Sequence, residues 1–292
     1  NPFGRGGRLN IDLEQNYRHA DIPGPGDEGS LRLRIDRLGY SWGGTRFDTD
    51  RFEVGRFLQS GMPEFGVLDG LEYGTRFDGG DRFGASVGFL PEPNYQQETG
   101  RDLQVATWYR WVMDDEERLT ATAGFQKTVH DGDADRDLVV AKFESLPRDG
   151  WNLFATAWLD LYTSGDDPRG AGIGLTQVQA TAIKRFDSGD SIDVSYRHLE
   201  FPVLDRNEFT PVLEEQLADD HLDRLWLRGS KRHAEDRRLH GAVGAWADED
   251  AGGADIEAGY EVLDVFAPDD RADVTLFGGQ AEFNSFVGTR LQ

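Results

Sequence analysis

The sequence predicts an all-β protein, a transmembrane antiparallel up-and-down β-barrel of about sixteen strands that takes up residues 1–292 as one domain. Three observations carry this expectation. Apolar and polar residues alternate with a period of two along most of the chain, the mark of strands with one dry and one wet face. Short and long connections follow one another in turn, as in a meander whose two ends face different compartments. The polar register is charged in both signs, and so many charges need water on their side of the sheet.

Taken in order, the first segment, 8–18, alternates strictly over Leu9-Asn10-Ile11-Asp12-Leu13-Glu14. The second, 30–42, does so over Leu31-Arg32-Leu33-Arg34-Ile35-Asp36 and closes on Tyr40 and Trp42. Segments 46–57, 66–77 and 81–90 follow, the last with Phe89 near its end. Alternation is unbroken from Leu103 to Trp111 in 102–112, and from Leu119 to Gln126 in 117–128. After 137–146 comes 150–162, which sets Trp151, Leu153, Ala155, Ala157, Leu159 and Leu161 against Asn152, Thr156 and Asp160. Segments 172–186 and 190–200 come next, the latter with Ile192-Asp193-Val194-Ser195-Tyr196-Arg197. The series ends with 222–230, 237–247, 254–263, 271–281 and 284–291. Helical periodicity is confined to one or two turns around Pro211–Leu217, inside a connection.

The connections at Gly43-Gly44-Thr45, Asp78-Gly79-Gly80, Asp114-Asp115-Glu116, Pro147-Arg148-Asp149 and Asp187-Ser188-Gly189 are tight. Those at 19–29, 58–65, 91–101, 129–136, 163–171 and 201–221 are longer. The alternation weakens late, where 231–236 is no shorter than 248–253. The longest connection holds Phe201, Val203 and Leu204, apolar residues that would let it fold inward and narrow a lumen, or pack over the barrel mouth or against a neighbour.

Composition narrows the function. A formal net charge of −23 argues against binding nucleic acid, which needs a basic face. The absence of cysteine removes disulfides, thiolate metal sites and cysteine nucleophiles. With 18 phenylalanines, 8 tyrosines and 7 tryptophans the chain is too rich in aromatics for an acidic disordered segment. No apolar run is long enough for a membrane-spanning helix. The start at Asn1, without a basic-then-apolar leader, is what a processed or trimmed chain would show.

In most segments the apolar register carries hardly a charge, as a lipid-facing band requires, and aromatics lie near segment ends as interfacial girdles do. Ala155, Ala157, Val194 and Val243 are expected to face lipid. Arginine at Ala157 should then block assembly, and arginine at Thr156 should be tolerated. The opposite register supplies the expected pore-lining residues Asp12, Glu14, Arg32, Arg34, Glu72, Arg76, Arg110, Arg197, Arg224, Arg228, Arg238, Glu257 and Glu261. Arg224, Arg228 and Arg238 should form a basic stripe near an acidic stretch of Asp255, Glu257, Glu261, Asp12 and Glu14, and acidic loops should add a weak cation preference.

The stretch Val54-Gly55-Arg56-Phe57 to Gly66-Val67-Leu68-Asp69-Gly70-Leu71-Glu72-Tyr73-Gly74 resembles a strand–loop–strand stretch of bacterial outer-membrane porins, the porin-like superfamily. The motif covers about twenty residues and the style of the sequence covers the whole chain. The resemblance implies an integral outer-membrane channel for small polar or ionic solutes, contacting membrane lipid and lipopolysaccharide. The ending Phe286-Val287-Gly288-Thr289-Arg290-Leu291-Gln292 departs from the terminal aromatic usual in such barrels.

Two other readings stand beside the channel. One is a β-barrel sheath for a periplasmic, lipoprotein or electron-carrier partner, with a homo-oligomer as a further assembly. The other is a soluble all-β binding protein. Enzymatic readings fail on spacing. Asp48/Asp50 and Asp219/His221 fall at opposite ends of the meander, and none of the six histidines has a serine two residues away. No cofactor is expected; Asp131, Asp133, Asp135 and Asp137 read first as a solvated acidic loop tip, and second as a Ca²⁺ site, whose clustered hard oxygens suit that ion.

Overall fold

The computed structural model describes residues 6–18, 30–45, 47–92, 94, 97–163, 171–202, 204, 221–265, 267, 270–282 and 284–292, without the side chains of Arg18, Ser30, Leu31 and Arg32. Sixteen strands appear in chain order: β1 (Arg8–Arg18), β2 (Ser30–Gly43), β3 (Asp50–Leu58), β4 (Val67–Arg76), β5 (Arg82–Leu90), β6 (Asp102–Val112), β7 (Leu119–His130) and β8 (Asp133–Arg148). They continue as β9 (Trp151–Tyr162), β10 (Gly172–Arg185), β11 (Ser191–Glu200), β12 (His221–Ala234), β13 (Arg237–Ala247), β14 (Gly252–Leu263), β15 (Arg271–Ala281) and β16 (Asn284–Leu291). They form a single sheet ordered from β1 to β16, each strand antiparallel to the next. The up-and-down, all-β architecture and the strand number are those expected.

The sheet curls. Glu64, in the connection between β3 and β4, reaches Lys142 of β8 at 3.3 Å. Four strand spacings from β4 to β8 are about 19 Å along the sheet, so an eight-residue connection meets β8 only as a chord across a concave face. That concave side is the inner face.

Several boundaries differ from expectation, each for a local reason. The segment 46–57 starts as a strand only at Asp50, because Asp48 Oδ2 accepts from the Thr45 N–H (2.9 Å) and Oγ1 (2.7 Å) and holds the chain in a turn. The long connection expected at 129–136 is a two-residue turn. Asp131 (φ 50) and Gly132 (φ 104) both lie in the left-handed region that tight hairpins need, and Asp-Gly is a preferred pair for it. Asp149 (φ 49) and Gly150 (φ 76) do the same between β8 and β9. Strand β12 runs past 230 to Ala234, while 264–270 makes a longer connection between β14 and β15. The alternation of short and long ends therefore breaks at 131–132, resumes from 163–171 to 235–236, and reverses where 264–270 is longer than 248–251.

The outer face is apolar and open along the sheet. Ile11, Leu38, Val54, Val105, Val194, Leu225, Val243, Ile256 and Leu276 are all exposed there. Aromatics gather at the end where β6 meets β7: Phe77 stacks on Tyr109 at 6.2 Å between centroids, and Tyr109 lies 4.8 Å from Trp111. The Tyr109 hydroxyl donates to Asp81 at 2.8 Å, so the girdle's polar edge is satisfied by the turn beyond it.

Candidate functional site

The inner face of β3–β9 is filled by the connection 59–66, which turns inward because its apolar residues find partners there. Met62 and Phe65 are buried against Ala106 and Trp108 of β6 and Leu138 and Val140 of β8, with Trp158 of β9 packed on the group. Pro63 opens a single 3₁₀ turn, Pro63–Phe65, at a position where a missing N–H costs nothing. Glycine makes the room. A Cβ on Gly61 or Gly84 would fall 1.8 or 2.4 Å from the Trp108 indole, and one on Gly124 would meet the Phe65 ring at 2.8 Å.

Most polar groups in this packing are paired, as buried polar groups must be, the indole N–H groups of Trp108 and Trp158 excepted. Gln59 Oε1 accepts from Ser86 Oγ (2.6 Å) and Gln104 Nε2 (2.9 Å), and Gln126 Nε2 donates to Gln104 Oε1 (2.8 Å) and to the Phe65 carbonyl (3.3 Å). Arg51 ties Ser60 to Glu53 and to Glu72, the last at 2.5 Å. Arg136 of β8 pairs with the buried Asp160, which also accepts from Thr176 at 2.6 Å.

Further round the sheet the inner face is charged rather than filled. Across β11–β15 it carries Arg197, Arg224, Arg228, Arg232, Arg238 and Arg271 with Asp193, Asp255, Glu257, Glu261 and Asp273. The guanidiniums of Arg224 and Arg228 flank the Trp226 ring at 4.7 and 5.1 Å from its centroid, so one indole holds both. Arg224 lies 3.7 Å from Asp255; Arg238 and Arg271 approach Glu261 at 3.9 and 3.3 Å. On β1 and β2, Glu14 pairs with Arg34 at 3.0 Å.

The residues expected on the wet face do lie in the inward register, with three differences. Arg238 pairs across from Arg232, not beside Arg228, so the basic stripe is a column on β12 with Arg238 below it. Glu261 of β14 lies directly across from Arg238, and Asp255 lies near Arg224, so acids and bases are mixed on this wall and near balance. Glu72 is buried at 2 % exposure behind the docked connection. The Arg32 side chain lies outside the described residues, as does most of the long connection, 203 and 205–220, that was expected to narrow the lumen.

The four carboxylates suggested for Ca²⁺ are not brought together. Asp131 pairs with Arg101 at 2.5 Å, Asp135 accepts from Thr128 at 3.0 Å, and Asp137 pairs with Lys127 at 2.8 Å. A bulge at Asp135 turns it to the inner face while Asp137 points outward, because the expected loop is really strand. Among the described residues no group of three or more such side chains could hold a metal ion.

Sequence reading missed Met62, Phe65, Trp108, Arg82 and Glu117. The signal for the first two was present: an apolar Met-Pro-Glu-Phe stretch in a connection that solvent alone would not favour. Leu138-Val139-Val140-Ala141 is apolar in both registers and names no face, yet its inner pair is the docking surface.

No family model matches the chain, and no curated protein matches it. Solved structures do. The outer membrane protein opdK from Pseudomonas aeruginosa is 10% identical, with 91% of this chain and 79% of that one covered at a TM-score of 0.45. An anion-selective porin from Comamonas acidovorans is 10% identical over 96% of this chain and 100% of its own, with a TM-score of 0.42. A loop-deletion mutant of OmpT, an outer membrane protein of Vibrio cholerae, is 13% identical over 97% of each chain, with a TM-score of 0.36. At overlaps of that size the function has to be read from this chain's own side chains.

Proposed function

We propose that the protein is a passive diffusion channel in a bacterial outer membrane, passing small polar or ionic solutes through a closed, partly filled barrel. The observation that carries this reading is the split between the two registers. The outward residues are mostly apolar and exposed from β1 to β16, with charges such as Lys127, Asp137 and Asp223 near strand ends, a surface which aqueous surroundings would penalise and a lipid bilayer would not. The inward residues of β11–β15 are charged, and such side chains need a water-filled space. The docked connection occupies the side of the lumen under β3–β9, so the path runs along β10–β16, β1 and β2.

Purified protein added to a planar lipid bilayer should give discrete conductance steps. A protein that inserts, shown by protease protection of its strands, but gives no steps would overturn the channel reading.

A further inference from the structure

A second site lies on the inner face, at the end where β4 turns into β5 and β6 into β7. Arg76 pairs in register with Arg82, and Arg82 with Arg110. Three guanidiniums therefore stand side by side on adjacent strands, an arrangement that costs stability by like-charge repulsion unless anions are near. Glu117 supplies part of the balance: its two carboxylate oxygens accept from Arg76 (3.2 Å) and Arg82 (3.0 Å). It does so from a left-handed backbone, φ 57, unusual for a residue with a side chain. Arg110 touches only a hydroxyl, Thr120 Oγ1 at 3.4 Å, and has no carboxylate within ion-pair distance among the described residues.

Arg76, Arg82 and Arg110 line a cavity of about 160 Å³ under Ser60 and Gly61 of the docked connection, the room of roughly five waters. Trp108 lines it too. Its side chain is more than nine-tenths buried, and its indole N–H has no acceptor, nor has Nε of Arg76 or of Arg110. Those three nitrogens are closed to the cavity, the indole nitrogen by Gly61 and Gly84, so a ligand there would meet the outer ends of the Arg76, Arg82 and Arg110 guanidiniums. The carboxylates that share the lining are already engaged: Asp48 by Thr45, and Asp50 by the Tyr73 hydroxyl at 2.5 Å.

We propose that this cavity binds a small, multiply charged oxyanion, held by the guanidiniums of Arg110 and Arg76, with Glu117 as a built-in competitor for the arginines. Charge-assisted bonds from guanidinium to oxyanion are the strong ones among hydrogen bonds. The site stands on the inner-face geometry and does not require that the protein conduct.

The test uses the full chain in detergent, with inorganic phosphate as the probe at constant ionic strength set by chloride. Binding is read by calorimetry and by the change in tryptophan fluorescence. Phosphate should bind saturably. R110Q should weaken binding at least tenfold, W108F should remove most of the fluorescence change, and E117Q should tighten binding severalfold. That gain cannot come from misfolding. No saturable binding, an equal response to chloride alone, or E117Q binding no more tightly than the parent would overturn the proposal. A silent bilayer with saturable phosphate binding would sink the channel and leave this site standing.

Discussion

Replacing Phe65 by alanine should release the docked connection and enlarge the conducting path. Phe65 is 3 % exposed, and its ring sits on Gly124 beside Met62, Leu138 and Val140. Truncating a phenylalanine in such packing costs about 3–5 kcal/mol, because the lost transfer energy is joined by a void that the rigid sheet cannot collapse to fill. At 1.4 kcal/mol per tenfold, the undocked population should rise about 10²–10³-fold or more. The hydrogen bond from Gln126 to the Phe65 carbonyl would be weakened with it. Two readouts follow: amide exchange over 59–66 should accelerate by that factor, and single channels should show larger or noisier conductance. The reasoning fails if exchange in this connection is unchanged, or if exchange accelerates while conductance stays at the parent value.

Val194→Arg should block membrane assembly, since a cation facing mid-bilayer costs about 2–4 kcal/mol, while Ser195→Arg on the inner face of the same strand should assemble; heat-modifiable gel migration separates them. Thr156→Arg is now expected to fail as well, because Thr156 is buried at 5 % exposure on the filled side, and normal assembly of that variant would contradict the docked packing. Replacing both Arg224 and Arg228 with alanine should shift the reversal potential in a salt gradient towards cations, and a shift towards anions would show that the β12 column does not line the path. Asp114 accepts the Leu119 N–H at 2.8 Å, which holds its carboxyl below the ordinary value. A depressed folded value gives stability that is present above the unfolded value of about 3.9 and is lost as pH falls through the folded one. Exchange of the Leu119 amide should therefore accelerate below about pH 4, and a flat profile there would remove the role of Asp114.

What the sequence made legible was the period-two pattern, which depends only on neighbours two residues apart. It placed Ala155, Ala157, Val194 and Val243 outward, as the strand registers do. The inner face was harder to read, since its demand changes from one sector to another. Beside water Arg224 and Arg228 suit it; beneath the docked connection Leu138, Val140 and Trp158 do. No local rule tells which sector a strand will occupy, because for Leu138, Val140 and Trp158 that depends on a connection more than seventy residues away. Asp131-Gly132 was misread for the opposite reason: its acidic surroundings suggested a loop, while the pair itself encodes a tight turn.

The docked connection also orders events in time. Phe65 bonds to Gln126 across 61 residues of sequence, so Met62 and Phe65 have nowhere to go until β6, β7 and β8 have been laid down. A nascent sheet ending at β5 would carry these two side chains bare on its concave side, where a chaperone or a second chain could seize them. Contacts that far apart in sequence form late, after the entropy of closing the intervening chain has been met. Insertion of the first five strands and maturation of the interior should thus be separable steps, and a cold or truncated assembly intermediate should bind a hydrophobic dye that the finished protein excludes.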